Sequence, residues 1–289
     1  KKMKRKGFKG ILLLLSMLFA LTGCSVSEAT QHGMAVDTIQ AEDVLLRVDF
    51  LNVGQADCAL LSTKGHYMVI DGGNNGDADT ILSYLEGQGV EKLDAVVGTH
   101  PHEDHIGSLD AIINHFDVDA VYMPKIMHTS KTFEDVLDAV ANKGLKIKSP
   151  DPGDTIDFNG LEIEVLGPQR EYKDFNNNSI VLKVNAGETA FLFTGDAEET
   201  AEKDILQADY DLQADVLKVG HHGSSTSSSQ AFLQAAETCR HQRRRRQQLS
   251  SSGGRSPAAA AKHWRRDLPY RFAGEYCLHH RREKYCLQL

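Results

Sequence analysis

The sequence of 289 residues predicts an α/β protein, a four-layer αβ/βα sandwich, and three observations point to it. Short runs with strand-like apolar alternation fall into an N-terminal and a C-terminal group. Each group carries segments with helical spacing of apolar residues, which can cover one face of a sheet. No internal repeat or second domain interrupts residues 43–237, and about 195 residues can bury one sizeable core.

The elements follow in order. Val44–Val53 alternates as a strand, and Ala59–Ser62 and Tyr67–Ile70 follow as short strands closing on Asp71-Gly72-Gly73. Ala78–Gly87 fits a helix, Ala95–Thr99 a buried strand, and Ile106–His115 a helix started by Asp104. Ala120–Met123 reads as a strand and Thr132–Asn142 as an amphipathic helix. In the second group, strands are expected at Ile156–Phe158, Leu161–Leu166, Ile180–Val184, Ala190–Phe193 and Val216–Val219, with helices at Glu198–Gln207 and Gln230–Ala236.

The flanks read differently. Six basic residues among the first nine precede an apolar run, Ile11–Leu21, too short for a comfortable membrane span and suited to a signal peptide over residues 1–23. Leu21-Thr22-Gly23-Cys24 resembles a bacterial lipobox, which implies lipidation of Cys24 and an extracytoplasmic protein anchored to the cell membrane. Residues 24–42 are polar and fit a flexible tether. Cys58 is alone in the domain, so no disulfide framework is expected.

Residues 238–289 contain no Val, Ile, Met or Asn and are rich in Arg, a composition that cannot finish a sheet. Back-translated and read one base later, Arg240–Leu249 can give VISVGADNS, and Ala260–His280 can give LQNTGAGIYRTDLQGSIVFTT, both strand-like. A frameshift near codon 238 is therefore expected, leaving an aberrant, disordered basic tail; a basic nucleic-acid-binding tail is the other reading.

The formal charge of −8 is uneven: residues 24–237 hold 37 Asp/Glu against 13 Lys/Arg. A body at −24 repels polyanions and needs cations or a local basic patch to hold a phosphodiester.

The chemistry centres on Thr99-His100-Pro101-His102-Glu103-Asp104-His105. Histidines at i and i+2 of an extended loop share a side and offer one metal two nitrogens. Asp104 and His105, in the first turn of a helix, can hold a second metal nearby.

These residues resemble the H-x-H-x-D-H signature of the metallo-β-lactamase superfamily, and three further pieces follow in its order. Tyr67–Gly73 is similar to the first motif, which implies that Asp71 supports the histidine loop. Phe193-Thr194-Gly195-Asp196 is similar to the motif whose aspartate bridges two metals. Lys218-Val219-Gly220-His221-His222-Gly223-Ser224 supplies the last histidine. His221 is favoured as ligand and His222 as a substrate or proton-transfer group, with their order left open by the sequence. Lys218 reads as a strand lysine facing solvent, with phosphate contact the alternative.

Residues 46–237 more narrowly resemble the hydrolase domain of ComEC-type DNA-uptake proteins, through Phe50–Asp57 (FLNVGQAD), Asp104–Gly107, Asn177–Ser179 and Asp215–Lys218. Secreted choline-phosphate esterases share a similar double-histidine ending. Asn52 and Ala56 depart from the usual Asp and Gly. The third-motif histidine is absent, and Asn176–Ser179 stands in its place, so Asn178 or Ser179 can complete a metal shell or hold phosphate, with a plain loop-to-strand turn the other reading.

The resemblance implies the metallo-β-lactamase fold and two divalent metal ions, zinc or manganese first among candidates. His100 and His102 would hold one ion, Asp104, His105 and His221 the other, and Asp196 would bridge. Asp104 would also orient the attacking water, and His222 would serve the leaving oxygen. The expected function is a phosphodiesterase, with nucleic acid such as DNA as substrate. The alternatives are a phosphoesterase on envelope polymers or small diesters, and a non-catalytic surface binding protein. Beyond the membrane, no obligate protein partner is evident.

Overall fold

A computed structural model describes residues 45–237 and the backbone of 276–278. The expected signal peptide, Cys24, the tether and most of the tail lie outside the described residues.

Two six-stranded sheets face each other. The first orders β1 (Arg47–Phe50), β2 (Ala59–Thr63), β3 (His66–Ile70), β5 (Ala95–Val97), β7 (Val121–Tyr122) and β8 (Ile147–Lys148). The second runs β14 (Tyr276–Leu278), β13 (Val216–Lys218), β12 (Thr189–Phe193), β11 (Val181–Ala186), β10 (Leu161–Gly167) and β9 (Thr155–Phe158). A two-stranded ribbon of β4 (Lys92–Leu93) and β6 (Asp117–Val118) stands apart.

The period of two along a strand sorts side chains into layers. In β3 and β5, Met68, Ile70, Ala95 and Val97 point between the sheets, where they meet Ile163, Val184, Phe191 and Phe193. Their alternates Val69 and Val96 point outward onto Ile81 and Leu85 of α1 (Ala78–Gly87), Ile112 of α3 (Leu109–His115) and Val136 of α4 (Lys131–Asn142). On the far side, Val181, Leu192 and Leu217 meet Ala201 and Ile205 of α5 (Glu199–Gln207) and Phe232 of α6, a helix over 230–237. These three apolar layers between four structural layers give the expected sandwich.

The helix expected over Ile106–His115 is two helices, α2 (Glu103–Ile106) and α3. The amides of Gly107 and Ser108 donate to the carbonyls of Gly73 and Gly72 instead of to their own helix, at 2.9 and 3.0 Å. His102, not Asp104, is the residue that caps α2. Among the described residues the tail adds β14, antiparallel to β13 at the sheet edge. An unpaired β13 would leave a row of open backbone donors and acceptors, which a passing extended segment can fill.

Candidate metal centre

Loops following β1, β3, β5, β12 and β13 converge at one end of the inter-sheet core. They are sewn together by backbone bonds from Asp57 to the Asp104 carbonyl (3.0 Å) and from Gly72 to the His105 carbonyl (2.6 Å). Such ties fix the loops without using the side chains that chemistry needs.

Asp71, 2% exposed, closes β3 in a left-handed conformation at φ 61°. One oxygen accepts from the Thr99 amide at 2.7 Å; the other accepts from the Thr99 hydroxyl and meets His105 Nδ1, both at 2.8 Å. The carboxylate thereby orients the start of the histidine loop and turns His105 Nε2 toward Asp196, whose Oδ1 is 3.0 Å away.

Asp196 lies between two histidine groups. On one side, its Oδ2 is 3.8 Å from His100 Nε2 and 3.8 Å from His221 Nε2, and His100 Nε2 is 3.1 Å from His102 Nδ1. On the other, His222 Nε2 sits 3.2 Å from His105 Nε2, 3.1 Å from Asp104 Oδ2 and 3.7 Å from Asp196 Oδ2.

The preference for His221 as the partner of Asp104 and His105 is thus reversed: His222 occupies that place. His221 reaches Asp196 instead, its Nδ1 held by Glu198 at 3.0 Å and by the Thr226 hydroxyl at 3.2 Å. Both residues adopt left-handed backbone, φ 48° and 49°, so ordinary alternation does not tell which ring faces inward.

Asn178 and Ser179 do not face solvent. Asn178, 1% exposed, accepts from the Tyr172 amide at 3.0 Å and donates to the Tyr172 carbonyl at 2.9 Å and the Asp174 carbonyl at 2.5 Å. Ser179, fully buried, accepts from the Asp196 amide at 3.0 Å. These bonds fill the amide and aim the aspartate, so the two residues brace the site rather than present themselves to substrate.

Lys218 is not a solvent-facing strand lysine either. It is 5% exposed and ion-paired with buried Asp57, whose other oxygen is 3.6 Å from His222 Nδ1. The FLNVGQAD motif contained Asp57, but a carboxylate closing a turn carries no mark of a lysine partner over 160 residues away.

Burial alone would push His105 down, but Asp71 and Asp196 at its two ring nitrogens hold it well above its usual range. Burial likewise opposes ionisation of Asp196, yet the hydrogen bond and charge of His105, with His100 and Lys218, keep its carboxyl far below the ordinary range. His100, buried and beside His105, is depressed well below its usual value, which keeps an imidazole lone pair available.

The donor set fits a cation. Asp57, His105, Asp196 and His222 offer ligand atoms all within 4.8 Å of one another. Asp196 Oδ1 is buried, with His105 Nε2 3.0 Å away. Buried carboxylates of this density are normally neutralised by paired cations or by metal.

Comparison with known proteins agrees with this geometry. Residues 51–238 match the family model described as the metallo-beta-lactamase superfamily. The chain is 29% identical over 206 residues to ComE operon protein 3 of Bacillus subtilis, covering 65% of this chain and 26% of that protein. It is 29% identical over 195 residues to competence protein ComA of Neisseria gonorrhoeae, covering 64% and 25%. The chain thus spans about a quarter of the length of these curated relatives. Among solved structures it is similar to the metallo-beta-lactamase fold protein YhfI of Bacillus subtilis, with 15% identity, TM-score 0.41, and coverage of 56% of this chain and 62% of that one.

Proposed function

The chain belongs to the metallo-beta-lactamase superfamily, and from that premise we propose that it is a phosphodiesterase working at a centre of two divalent cations. One observation carries the reading: buried Asp196 has His105 Nε2 3.0 Å from one oxygen and the Nε2 atoms of His100, His221 and His222 within 3.8 Å of the other. His100, His102, His221 and Asp196 would hold one cation, and Asp104, His105, His222 and Asp196 the other. In this assignment His221, oriented by Glu198, supplies the nitrogen that the absent third-motif histidine would have given. Mixed nitrogen and oxygen donors favour zinc or manganese.

Bound there, such cations supply Lewis acidity and bring the pKa of water to about 7. The chain's own residues do the rest. Asp71 and Glu198 fix the rings of His105 and His221. Asp104 has a third of its side chain exposed, 33%, and its Oδ2 is engaged by His222. Its Oδ1 is therefore the oxygen able to accept a hydrogen bond from an attacking water and set its line to phosphorus.

The competence named in one relative supports a nucleic-acid diester as substrate. The basic and apolar segment before Cys24 supports an exported, lipid-anchored setting. Retention of labelled palmitate by Cys24→Ala would overturn that setting.

Chain loaded with zinc or manganese should hydrolyse bis-p-nitrophenyl phosphate, and a chelator should abolish the activity. Asp196→Asn should lower metal content, read by elemental analysis, with metal affinity falling at least about tenfold. Turnover of nitrocefin in place of the diester, or unchanged metal content in the variant, overturns the proposal.

A further inference from the structure

Three rings stand edge to face beside the cluster. His128 and Phe175 have centroids 4.6 Å apart at 75°, Phe175 and His102 5.7 Å at 76°, and His102 and His128 6.3 Å at 84°. The three rings therefore form a triangle with a proposed metal ligand at one corner. Phe175 is half-buried and belongs to none of the three apolar clusters, while His128, also half-buried, sets its ring 6.4 Å from that of the core residue Phe133. Beside His128, Met127 is 76% exposed, the most exposed large apolar side chain among the described residues.

The rings are held in place. His128 Nδ1 accepts from the Ser130 amide at 3.1 Å, and Ser130 in turn caps α4 by accepting from the Phe133 amide at 3.2 Å. Phe175 opens the short turn 176–178, and the loop around it is pinned by the three bonds of Asn178 and by Asn177, whose amide donates to Asp174 at 2.8 Å. Residues braced this firmly give up little conformational entropy when a ligand arrives.

Local charge also departs from that of the body. Pro124–Lys131 contains Lys125 and Lys131 and no carboxylate, whereas residues 24–237 as a whole carry 37 acidic against 13 basic side chains. Lys125 is exposed, while exposed Lys173 on the Phe175 side lies between the carboxylates of Glu171 and Asp174.

We propose that Phe175 and His128, with Met127 at the rim, form a stacking subsite for a heterocyclic base flanking the diester at the cluster. The centre then selects single-stranded nucleic acid over phosphodiesters of glycerol or other aliphatic alcohols. An aromatic face accepts any base, but only one not already stacked in a duplex. Lys125, in a segment without carboxylates, supplies local positive charge for a neighbouring phosphate, which the acidic body does not. The assignment rests on the phosphodiesterase reading above.

The test separates bases from backbone. Binding of fluorescent oligothymidylate to chelator-treated full chain is compared, at low salt, with binding of an abasic oligomer of the same length. Oligothymidylate should bind about tenfold tighter, the scale of one base on an aromatic ring, and Phe175→Ala should remove that advantage. Phe175→Leu keeps apolar volume without a ring and should behave like Phe175→Ala, while Phe175→Trp should retain the preference. Equal affinity for the two oligomers, no binding of either, or full preference in Phe175→Leu overturns the subsite. Cleavage is then followed on the metal-loaded chain. Equal cleavage of both oligomers sinks the subsite and leaves the phosphodiesterase intact. Base-dependent binding with cleavage of neither oligomer nor of bis-p-nitrophenyl phosphate sinks the phosphodiesterase and the subsite's role with it.

Discussion

Lys218 and Asp57 make the plainest case at the scale of single residues. Each is within a few per cent of full burial, and they neutralise one another directly beneath His222. Burial would lower the Lys218 pKa, but the charges of Asp57 and Asp196 outweigh it and keep the ammonium charged. Removing one member strands the other charge in the interior, which typically costs about 3–5 kcal/mol. Lys218→Met should therefore lower unfolding free energy in urea by about that amount. The double variant Asp57→Asn, Lys218→Met should recover much of the loss, because neither charge is then left alone. Strict additivity of the two single losses would show that the pair does not act as a unit. Position alone in a short apolar strand could not reveal this role, since burial of a lysine depends on a carboxylate brought in from another strand.

Among the elements, the break between α2 and α3 decides where the ligands sit. The sequence pattern of Ile106–His115 is continuous, and nothing in it foretells that Gly107 must lie against the loop after β3. A Cβ at Gly107 would come within 2.2 Å of the Asn74 carbonyl carbon, 2.3 Å of the Asn75 nitrogen and 2.5 Å of the Gly73 oxygen. All three are backbone atoms, so the helix pair would have to move, carrying His105 with it. Gly107→Ala should cost at least about 1–3 kcal/mol of stability and weaken metal binding. Gly76→Ala, whose added Cβ meets nothing within 4 Å, serves as the control. Equal thermal melts for the two variants would count against a tight helix–loop contact. The longer elements were legible from periodicity, α1 to the residue, whereas β4, β6 and β8, at two residues each, show no period; β7, equally short, was legible only as part of the apolar run Ala120–Met123.

For the whole molecule, the decisive question is how the second sheet ends. β13 is paired at its outer side by β14, three residues drawn from a tail whose composition is foreign to the rest of the domain. If that tail arose from a shifted reading frame, a chain carrying the restored frame should complete the sheet with strands of ordinary composition. It should melt several degrees higher, since even about 1 kcal/mol moves the melting temperature of a domain this size by roughly 2–4 °C. Equal melting of the two chains would argue that the tail as it stands is sufficient. By itself the sequence determined the sandwich, the order of its long elements and the set of candidate ligands, because apolar periodicity and local motifs are written in neighbouring residues. Tertiary structure alone decided that His222 joins Asp104 and His105, that Asn178 and Ser179 face inward, and that Lys218 serves Asp57. Each of those facts depends on which atoms meet across loops far apart in the chain, and on backbone turned left-handed at two adjacent histidines, where local alternation no longer indicates direction.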